Sequence, residues 1–239
     1  MSTNAQEYAE MYRSMRRIRA FEAAAADLWA DGEIHGELHL SSGHEAVAAG
    51  IGAHLRDEDA IAGTHRAHNA AVAKGVDLNP LLAEILGREA GLSRGKGGHV
   101  HLFDTDTDFG CSGIIGAGLP PSLGPGIAAT FRDIDTVSVA FLGEGAVNQG
   151  SFHESLDLAS VWDLPVIFLI EDDKWAVSMT KGETRAVDSN TDRALGYDMP
   201  GLAVDGMNPR EVHAAGDHAV ESLGRCRANT RRSSMLSLR

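Results

Sequence analysis

Residues 136–173 have the sequence TVSVAFLGEGAVNQGSFHESLDLASVWDLPVIFLIEDD. Two apolar runs rich in β-branched residues, 136–142 and 166–170, are typical of buried parallel strands, and the segment between them predicts a helix that Asn148 caps and that ends near Ala159. A strand, a helix and a strand in this order form a βαβ unit, for which a right-handed crossover is expected. The sequence therefore predicts an α/β fold with a mostly parallel sheet and helices on both of its faces.

Polar residues follow both predicted strands, Gly143-Glu144-Gly145 after the first and Glu171-Asp172-Asp173 after the second. Ligands of open α/β sheets bind beyond the carboxyl ends of the strands, so both triplets are expected to lie at a ligand site. Glu144 and Asp173 would suit Mg²⁺, which takes one or two carboxylates and completes its shell with water and phosphate oxygens. Gly145 and Ala146 would offer amides and a positive helix end to the same phosphate. Taken alone, a Gly-x-Gly turn is more often a plain connection.

Apolar periodicity elsewhere predicts helices over residues 8–30, 44–55, 80–87, 124–131 and 209–223, and a short apolar step at 60–62. The first helix carries a stripe of apolar residues and ends at Asp31-Gly32; the stripe consists of Met11, Met15, Ile18, Phe21, Ala25, Leu28 and Trp29. Glycine is dense between residues 91 and 126, where no regular structure is predicted. We expect the amides of residues 95–98, Gly-Lys-Gly-Gly, to approach a ligand closely.

The charge and cysteine content limit the possible partners. A formal net charge of −13 over 239 residues argues against a nucleic-acid or acidic-membrane surface, because both need a cationic face. Cys111 and Cys226 lie far apart, which supports neither a disulfide framework nor a zinc knuckle. Residues 1–19 contain no apolar segment of signal-peptide length and no stretch approaches about 18 apolar residues, so we expect a cytoplasmic protein.

The strand–helix–strand segment also carries a family resemblance. Residues 143–156, GEGAVNQGSFHESL, with 162–168 and 171–175, closely resemble the thiamine-diphosphate motif of 2-oxo acid dehydrogenase alpha subunits, a family that includes the pyruvate, branched-chain and acetoin enzymes. Further matches occur in the same order over about residues 8–223: 11–13 (MYR), 21–22 (FE), 43–47 (GHEAV), 64–68 (THRAH), 95–98 (GKGG) with His101, and 204–206 (VDG).

The resemblance implies a thiamine-diphosphate-binding fold and a set of cofactor ligands. It places Mg²⁺ on the side chains of Glu144 and Asp173 and on the backbone carbonyl of Trp175. Arg66 matches the arginine that holds the diphosphate, a role for which a planar guanidinium is suited. Residues 143–146 complete the diphosphate site.

The resemblance also implies contacts to the ring end of the cofactor. The backbones of Gly113 and Ile115 match positions that hold the aminopyrimidine ring. His68 and His101 are expected near the cofactor, where a histidine can move protons at neutral pH. His65, His99 and His153 are interpreted as structural or surface residues.

Two departures from the family affect the expected activity. The usual Gly-Asp-Gly has Glu144 at its centre and the usual Asn-Asn is Asp172-Asp173, so the oxygen ligands remain but one negative charge is added beside the diphosphate. Relatives also continue for roughly another hundred residues, about one small domain, with a Tyr-Arg-x-x-Gly-His-Ser loop that has no match here. We expect a chain that is incomplete or replaced after Leu223, with an N-terminal helical arm (1–40), a cofactor domain with the diphosphate and metal half-site (41–224) and a divergent basic tail (225–239).

The implied function is oxidative decarboxylation of a 2-oxo acid with acyl transfer to lipoamide, for which thiamine diphosphate supplies the carbanion chemistry. The implied partners are a beta subunit, which contributes the cofactor-activating glutamate within an α2β2 heterotetramer, and a lipoyl-bearing acyltransferase. Acetoin dehydrogenase and a noncatalytic assembly subunit remain alternatives. A dinucleotide-binding dehydrogenase is disfavoured, because Asn148 stands where Gly-x-Gly-x-x-Gly requires its third glycine.

Overall fold

A seven-stranded, mostly parallel sheet forms the centre of the protein in a computed structural model that describes residues 5–223 and 233–238. Its strands lie in the order β2-β3-β1-β4-β5-β9-β8, and every neighbouring pair is parallel except β2 with β3. A separate hairpin pairs β6 with β7. The strands are β1 (Ala60–Gly63), β2 (Phe103–Asp104), β3 (Phe109–Cys111), β4 (Ser138–Gly143), β5 (Val166–Glu171), β6 (Trp175–Ala176), β7 (Met179–Thr180), β8 (Gly201–Val204) and β9 (Ser234–Leu238).

Helices cover both faces of the sheet, as the sequence predicted. Val139 and Phe141 of β4 pack in one apolar cluster with residues of α1–α4 and α9, whereas Ala140 and Leu142 pack in a second cluster with α5, α6 and α8. This alternation follows from the two-residue period of a strand. The helices are α1 (Ala5–Ala30), α2 (Glu45–Gly52), α3 (His68–Lys74), α4 (Leu78–Ile85), α5 (Leu119–Arg132), α6 (Gly150–Val161), α7 (Lys181–Thr184), α8 (Thr191–Ala194) and α9 (Pro209–Ser222).

The long periodic helices were predicted most accurately. The predicted ends of α1 and α9 agree with the structure to within a few residues, and Gly32 follows α1 with a φ of 77°. The prediction of the apolar stripe of α1 is wrong for its last residue, Trp29. This side chain is about half exposed, and its indole donates a hydrogen bond to the carbonyl of Gly36. No helix in the described ranges is long and apolar enough to cross a membrane.

Two regions, the polar segment 64–69 and the glycine-rich segment 91–126, have more regular structure than the sequence predicted. The polar patch at residues 64–69 contains the start of α3, and the region 91–126 contains β2, β3 and the first half of α5. Helix α5 begins at Leu119, with proline in its first turn, where a missing N–H costs no helical hydrogen bond. Because Pro120, Pro121 and Pro125 all lie within this helix, its composition resembled that of a loop.

Residues 234–238 contribute an internal strand, which lies next to the edge strand β8. Residues 234–238, which fall in the basic tail predicted from the sequence, form β9 between β5 and β8, and all five are buried. Residues 224–232, including Cys226 and most of the basic positions of that tail, lie outside the described residues. Helix α1, assigned to a separate arm, packs on α2 and α3 through the common core. The predicted division into three segments stays a prediction.

Candidate functional site

Four parallel strands, β3, β1, β4 and β5, end at one edge of the sheet, and the residues selected from the sequence come next to these ends. Arg66 follows β1, Gly113 and Ile115 follow β3, residues 144–146 follow β4, and residues 173 and 175 follow β5. The chain passes from β1 outward to β3 and then crosses to β4 on the other side of β1. This reversal is the topological switch point at which such sheets bind ligands.

Glu144 and Asp173 lie close together, as predicted for a cation site. Glu144 is buried and its backbone N–H donates to the carbonyl of Glu171 at 3.2 Å, whereas Asp173 is exposed. Burial, followed by the negative charges of Asp173 and Asp172, raises the pKa of Glu144 to about 7. Its Oε1 atom is buried and has no hydrogen-bond partner among the described residues. A buried carboxyl oxygen without a partner, beside a second carboxylate, suits a bound cation.

The β6–β7 hairpin packs on the turn that follows β4. A Cβ atom added to Gly145 would lie 2.7 Å from the Cβ of Ala176, so only glycine allows this approach, whereas nothing lies within 4 Å of a Cβ added to Gly143. The hairpin is joined to β5 by a turn in which the backbone N–H of Trp175 donates to Oδ1 of Asp173 at 2.9 Å. The Gly-Glu-Gly turn, Asp173 and Trp175 therefore form one compact unit.

The predicted helix cap at Asn148 is wrong. Residues Ala146–Asn148 form a single 3-10 turn, and α6 begins at Gly150 after Gln149, whose side chain makes no capping hydrogen bond. The side-chain oxygen of Asn148 instead accepts a hydrogen bond of 2.9 Å from Arg193. The positive end of α6 therefore lies several residues after Gly145 and Ala146, and not directly at them as the sequence suggested.

Arg66 is exposed at the same edge. Its Nη1 donates to the carbonyl of Leu40 at 2.6 Å, which uses one of its five donors. Burial and then the charge of Arg66 lower the pKa of His65. The remaining guanidinium donors can bind an anion.

The loop after β3 brings His101 and Gly113 together. A Cβ on Gly113 would lie 3.1 Å from Cε1 of His101, whose side chain is exposed. Gly116, with a φ of 78°, would place a Cβ 2.6 Å from Oε1 of Gln149, so this loop lies against the segment that starts α6. Ile115 is about 44% exposed next to it.

His68 has a different setting from His101. It is fully buried as the first residue of α3, and its Nδ1 lies 3.3 Å from the carboxylate of Glu22 on α1. His68 therefore has no free surface for contact with a ligand in this conformation. Of the two histidines predicted as proton-transfer groups, His68 is buried and His101 is exposed.

Three histidines form a cluster next to His68, although His65 and His99 were interpreted as structural or surface residues. Nδ1 of His39 lies 2.9 Å from Nε2 of His99, and the ring of His65 meets that of His39 edge-on at 5.1 Å. Burial and the neighbouring histidines lower the pKa of His99 to about 4. His99 is therefore uncharged at neutral pH.

Sequence reasoning missed two polar networks behind the strand ends. Glu171 accepts hydrogen bonds from His44 at 3.0 Å and from Asn69 at 3.4 Å. The hydrogen bond between Glu171 and His44 is the main reason that the pKa of His44 is raised. His44 belongs to the Gly-His-Glu-Ala-Val match, but no role was assigned to it.

The second network surrounds the buried carboxylate of Asp172. Its Oδ2 forms an ion pair with Lys181, lies 3.7 Å from Arg185, and accepts a hydrogen bond of 3.3 Å from Asn190. These partners lie 9 to 18 residues further along the chain, so no short motif could have revealed them.

The glycine-rich loop at residues 93–98 holds an internal anion. The backbone amides of Ser93, Gly95 and Gly97 all donate to the carboxylate of Glu84, which is fully buried. The expectation that the amides of residues 95–98 would approach a ligand is therefore wrong for Gly95 and Gly97.

The side chains present would need further ligands to complete a metal site. Within residues 5–223 and 233–238, no three His, Cys, Asp or Glu side chains are grouped in a way that could hold a metal ion. Glu144 and Asp173 supply two carboxylates, which is the number that Mg²⁺ commonly takes from protein when phosphate oxygens complete its shell.

Comparison with known proteins gives consistent sequence matches. Residues 13–231 match the family described as dehydrogenase E1 component. The chain is 44% identical to the alpha subunit of acetoin:2,6-dichlorophenolindophenol oxidoreductase from Bacillus subtilis (strain 168), over 88% of this chain and 64% of that protein. It is 39% identical to the pyruvate dehydrogenase E1 component subunit alpha of Rhizobium meliloti, over 88% of this chain and 61% of that protein. The chain thus spans less than two thirds of the length of these relatives.

The fold has a counterpart among solved structures. Transketolase from Campylobacter jejuni superimposes with a TM-score of 0.66 at 16% sequence identity, over 98% of this chain and 38% of that one. At this identity the likeness concerns the fold alone. It agrees with the predicted thiamine-diphosphate-binding fold.

Proposed function

We propose, because the chain belongs to the dehydrogenase E1 component family, that it is the cofactor-holding alpha subunit of a thiamine-diphosphate-dependent 2-oxo acid dehydrogenase. The observation that carries this proposal is the buried Glu144 carboxyl, whose Oε1 lacks a partner among the described residues beside Asp173 at the switch point. Mg²⁺ would supply the missing partner and link the two carboxylates to a diphosphate.

Each further residue of the site would have a positional role. Glu144, Asp173 and the backbone carbonyl of Trp175 would hold Mg²⁺, and the free donors of Arg66 would bind diphosphate oxygens. Gly143 leaves open space where another residue would carry a Cβ. Bound thiamine diphosphate supplies an electron sink for decarboxylation.

The ring end of the cofactor would be held by the opposite loop. The backbones of Gly113 and Ile115 would position the aminopyrimidine ring, and residues 143–146 the diphosphate. His101, exposed against Gly113, would exchange protons near the cofactor, while the buried His68 would act only through its neighbours.

A beta subunit would complete the active site. The hairpin and the loop after β3 carry exposed apolar side chains at the same edge as the cofactor residues, namely Ile114, Ile115, Trp175, Val177 and Met179. Such a rim suits burial against another chain. We propose an α2β2 assembly in which the beta chain supplies the activating glutamate, a lipoyl-bearing acyltransferase as acceptor, and a cytoplasmic location.

The substrate is proposed only by class. The relatives compared above are named for acetoin and for pyruvate, and the identity is higher for the acetoin protein, 44% against 39%. Oxidative decarboxylation of a 2-oxo acid and cleavage of acetoin are therefore both candidates. A noncatalytic assembly role is the alternative if the chain functions at its present length.

The test uses the chain co-purified with its beta subunit. Calorimetric titration with thiamine diphosphate should give binding that requires Mg²⁺ and that is lost in Arg66→Ala. Turnover should then be measured with pyruvate, a branched-chain 2-oxo acid and acetoin, with 2,6-dichlorophenolindophenol as acceptor. Binding without turnover would favour the assembly role, and absence of Mg²⁺-dependent binding would refute the proposal.

A further inference from the structure

Glu22 of α1 is a fully buried carboxylate to which the proposed function gives no role. It accepts hydrogen bonds from the hydroxyl of Ser41 and from the backbone N–H of Ser41 at 3.2 Å, and lies 3.3 Å from Nδ1 of His68. Burial acts to raise the pKa of Glu22, but the contacts with His68 and Ser41 outweigh it, so the pKa lies below its ordinary value. The group is therefore ionised at neutral pH.

An ionised carboxylate fixes the proton of its imidazole neighbour. A carboxylate only accepts hydrogen bonds, so the contact requires a proton on Nδ1 of His68. Nε2, on the other side of the ring, is buried and has no hydrogen-bond partner among the described residues. When the ring is neutral, Nε2 therefore carries a buried lone pair, as in imidazoles whose tautomer is set by an orienting carboxylate.

Stability does not account for this arrangement. A buried carboxylate–imidazole pair contributes little compared with apolar packing of the same volume. A buried polar atom left without a partner costs about 1–3 kcal/mol. Both features occur on the same histidine, which suggests that Nε2 is used in proton transfer.

A line of histidines connects His68 with the surface. The ring centroids of His68 and His99 are 6.3 Å apart, and Nε2 of His99 lies 2.9 Å from Nδ1 of His39. The rings of His99 and His39 stack at 5.2 Å, and about a third of the His39 side chain is exposed. Three imidazoles thus lie in a row between the buried Glu22 and solvent, and within the described residues a hydrogen bond joins His99 and His39.

We propose that Glu22 is a positioning residue, which holds the proton on Nδ1 of His68 and leaves Nε2 to exchange a proton with solvent through His99 and His39. The proton taken up on Nε2 gives an imidazolium beside the ionised Glu22, and the same N–H bond breaks when the proton returns. The inference rests on the proposed function, because that reaction supplies the need for a proton.

The first test reads the tautomer directly by NMR on the full chain labelled with ¹⁵N-histidine, with His68→Gln to identify the signals. The neutral His68 of the wild type should carry its proton on Nδ1. In Glu22→Gln, whose carboxamide can donate, the share of the Nε2–H form should rise. Ser41→Ala is the matched control, because it removes the Ser41 hydroxyl contact with Glu22 and keeps the contact with His68, so its tautomer should not change.

Two results would overturn the inference: a proton on Nε2 in the wild type, or the same tautomer in Glu22→Gln as in the wild type. Should Glu22→Gln fail to fold, the wild-type spectrum still decides the question.

The second test measures turnover of the complex with the beta subunit. Glu22→Gln should lower kcat by roughly 10-fold, less than the roughly 100-fold or more that a proton-transfer group itself contributes, because the imidazole of His68 remains. Glu22→Asp should recover part of this loss, and Ser41→Ala should retain most of the activity below its melting temperature. Equal losses in Glu22→Gln and Ser41→Ala that follow their stability would assign Glu22 a structural role instead. An inactive wild-type complex would count against the proposed function, while the tautomer would still test the role of Glu22.

Discussion

Glu84 and Gly97 are joined by a hydrogen bond of 2.6 Å, in which the backbone amide of the glycine-rich loop donates to a fully buried carboxylate. Ser93 and Gly95 donate to the second oxygen of the same group at 2.7 and 2.8 Å. Three amides thus wrap one internal anion, which fixes the segment immediately before His101. The loop binds a carboxylate through its backbone amides, and that carboxylate is the Glu84 side chain of α4.

Replacement of Glu84 by glutamine should destabilise this loop. A hydrogen bond to a charged group makes a net contribution of about 1.5–3 kcal/mol, and glutamine keeps one acceptor oxygen, so we expect a loss of about 2–3 kcal/mol in the free energy of unfolding at pH 7. Urea denaturation measures this loss. Glu89→Gln, at an exposed position shortly after α4, is the control and should have little effect.

The effect of Glu84 should depend on pH. Burial acts to raise its pKa, but the amides of Gly97, Ser93 and Gly95 outweigh it and lower the pKa below its ordinary value. The stabilisation is therefore present above the unfolded pKa of about 4.3 and is lost as the pH falls through the lower folded value. The difference between wild type and Glu84→Gln should shrink on acidification. A difference that is constant from pH 7 to about pH 3 would contradict the role of the ionised carboxylate.

Alanine at Gly145 should disturb the β6–β7 hairpin. Its Cβ would meet the Cβ of Ala176 at 2.7 Å, and overpacking of this kind typically costs about 1–3 kcal/mol. Gly143→Ala is the matched control two residues away, since its Cβ enters open space and should leave the unfolding free energy nearly unchanged. If that open space is the diphosphate site, Gly143→Ala should still weaken cofactor binding. Equal melting temperatures for the two variants would refute the packing argument.

Replacement by asparagine should destabilise the protein strongly at Asp172 and very little at the neighbouring Asp173. Asp172 is buried with Lys181 and Arg185, and removal of one partner from such a group costs about 3–5 kcal/mol. Asp173 is exposed, so its replacement should change stability by less than about 0.5 kcal/mol. Thermal unfolding of the two single variants measures the contrast. A smaller loss of stability for Asp172→Asn than for Asp173→Asn would show that the contacts of Asp172 with Lys181 and Arg185 contribute little to the free energy of unfolding.

The edge of the sheet could be predicted because its signals are local. The apolar runs of β4 and β5 and the polar triplets that follow them lie within 38 consecutive residues, and parallel pairing then brings Glu144 and Asp173 to one edge by geometry alone. The places of Arg66 and Gly113 in the site could be predicted only from the family resemblance, because the sequences of β1 and β3 do not indicate which strands lie next to β4.

The remaining parts depend on contacts between distant residues. His68 was predicted as a proton-transfer group near the cofactor, and only the packing of α1 on α3 shows that it is buried against Glu22, 46 positions earlier. Asn148 had the right residue type for a cap, but its hydrogen bond to Arg193 and the 3-10 turn before α6 place it elsewhere. Strand β9 lacked a sequence signal, because Ser234 and Ser237 are buried in the sheet although serine is mostly an exposed residue.

The double replacement Glu144→Asp with Asp173→Asn should tighten binding of thiamine diphosphate. Aspartate removes a methylene that a compact octahedron must otherwise accommodate, and asparagine removes a negative charge beside an anionic ligand while it keeps an oxygen donor. Isothermal titration of the complex with thiamine diphosphate at fixed Mg²⁺ measures the change, which should be a gain of about 10-fold, or 1.4 kcal/mol. Asp173→Asn alone should provide most of this gain, since the added repulsion arises at that position. The single variant Glu144→Asp serves as the control for ligand size. No gain in the double variant would refute this argument from ligand size and charge.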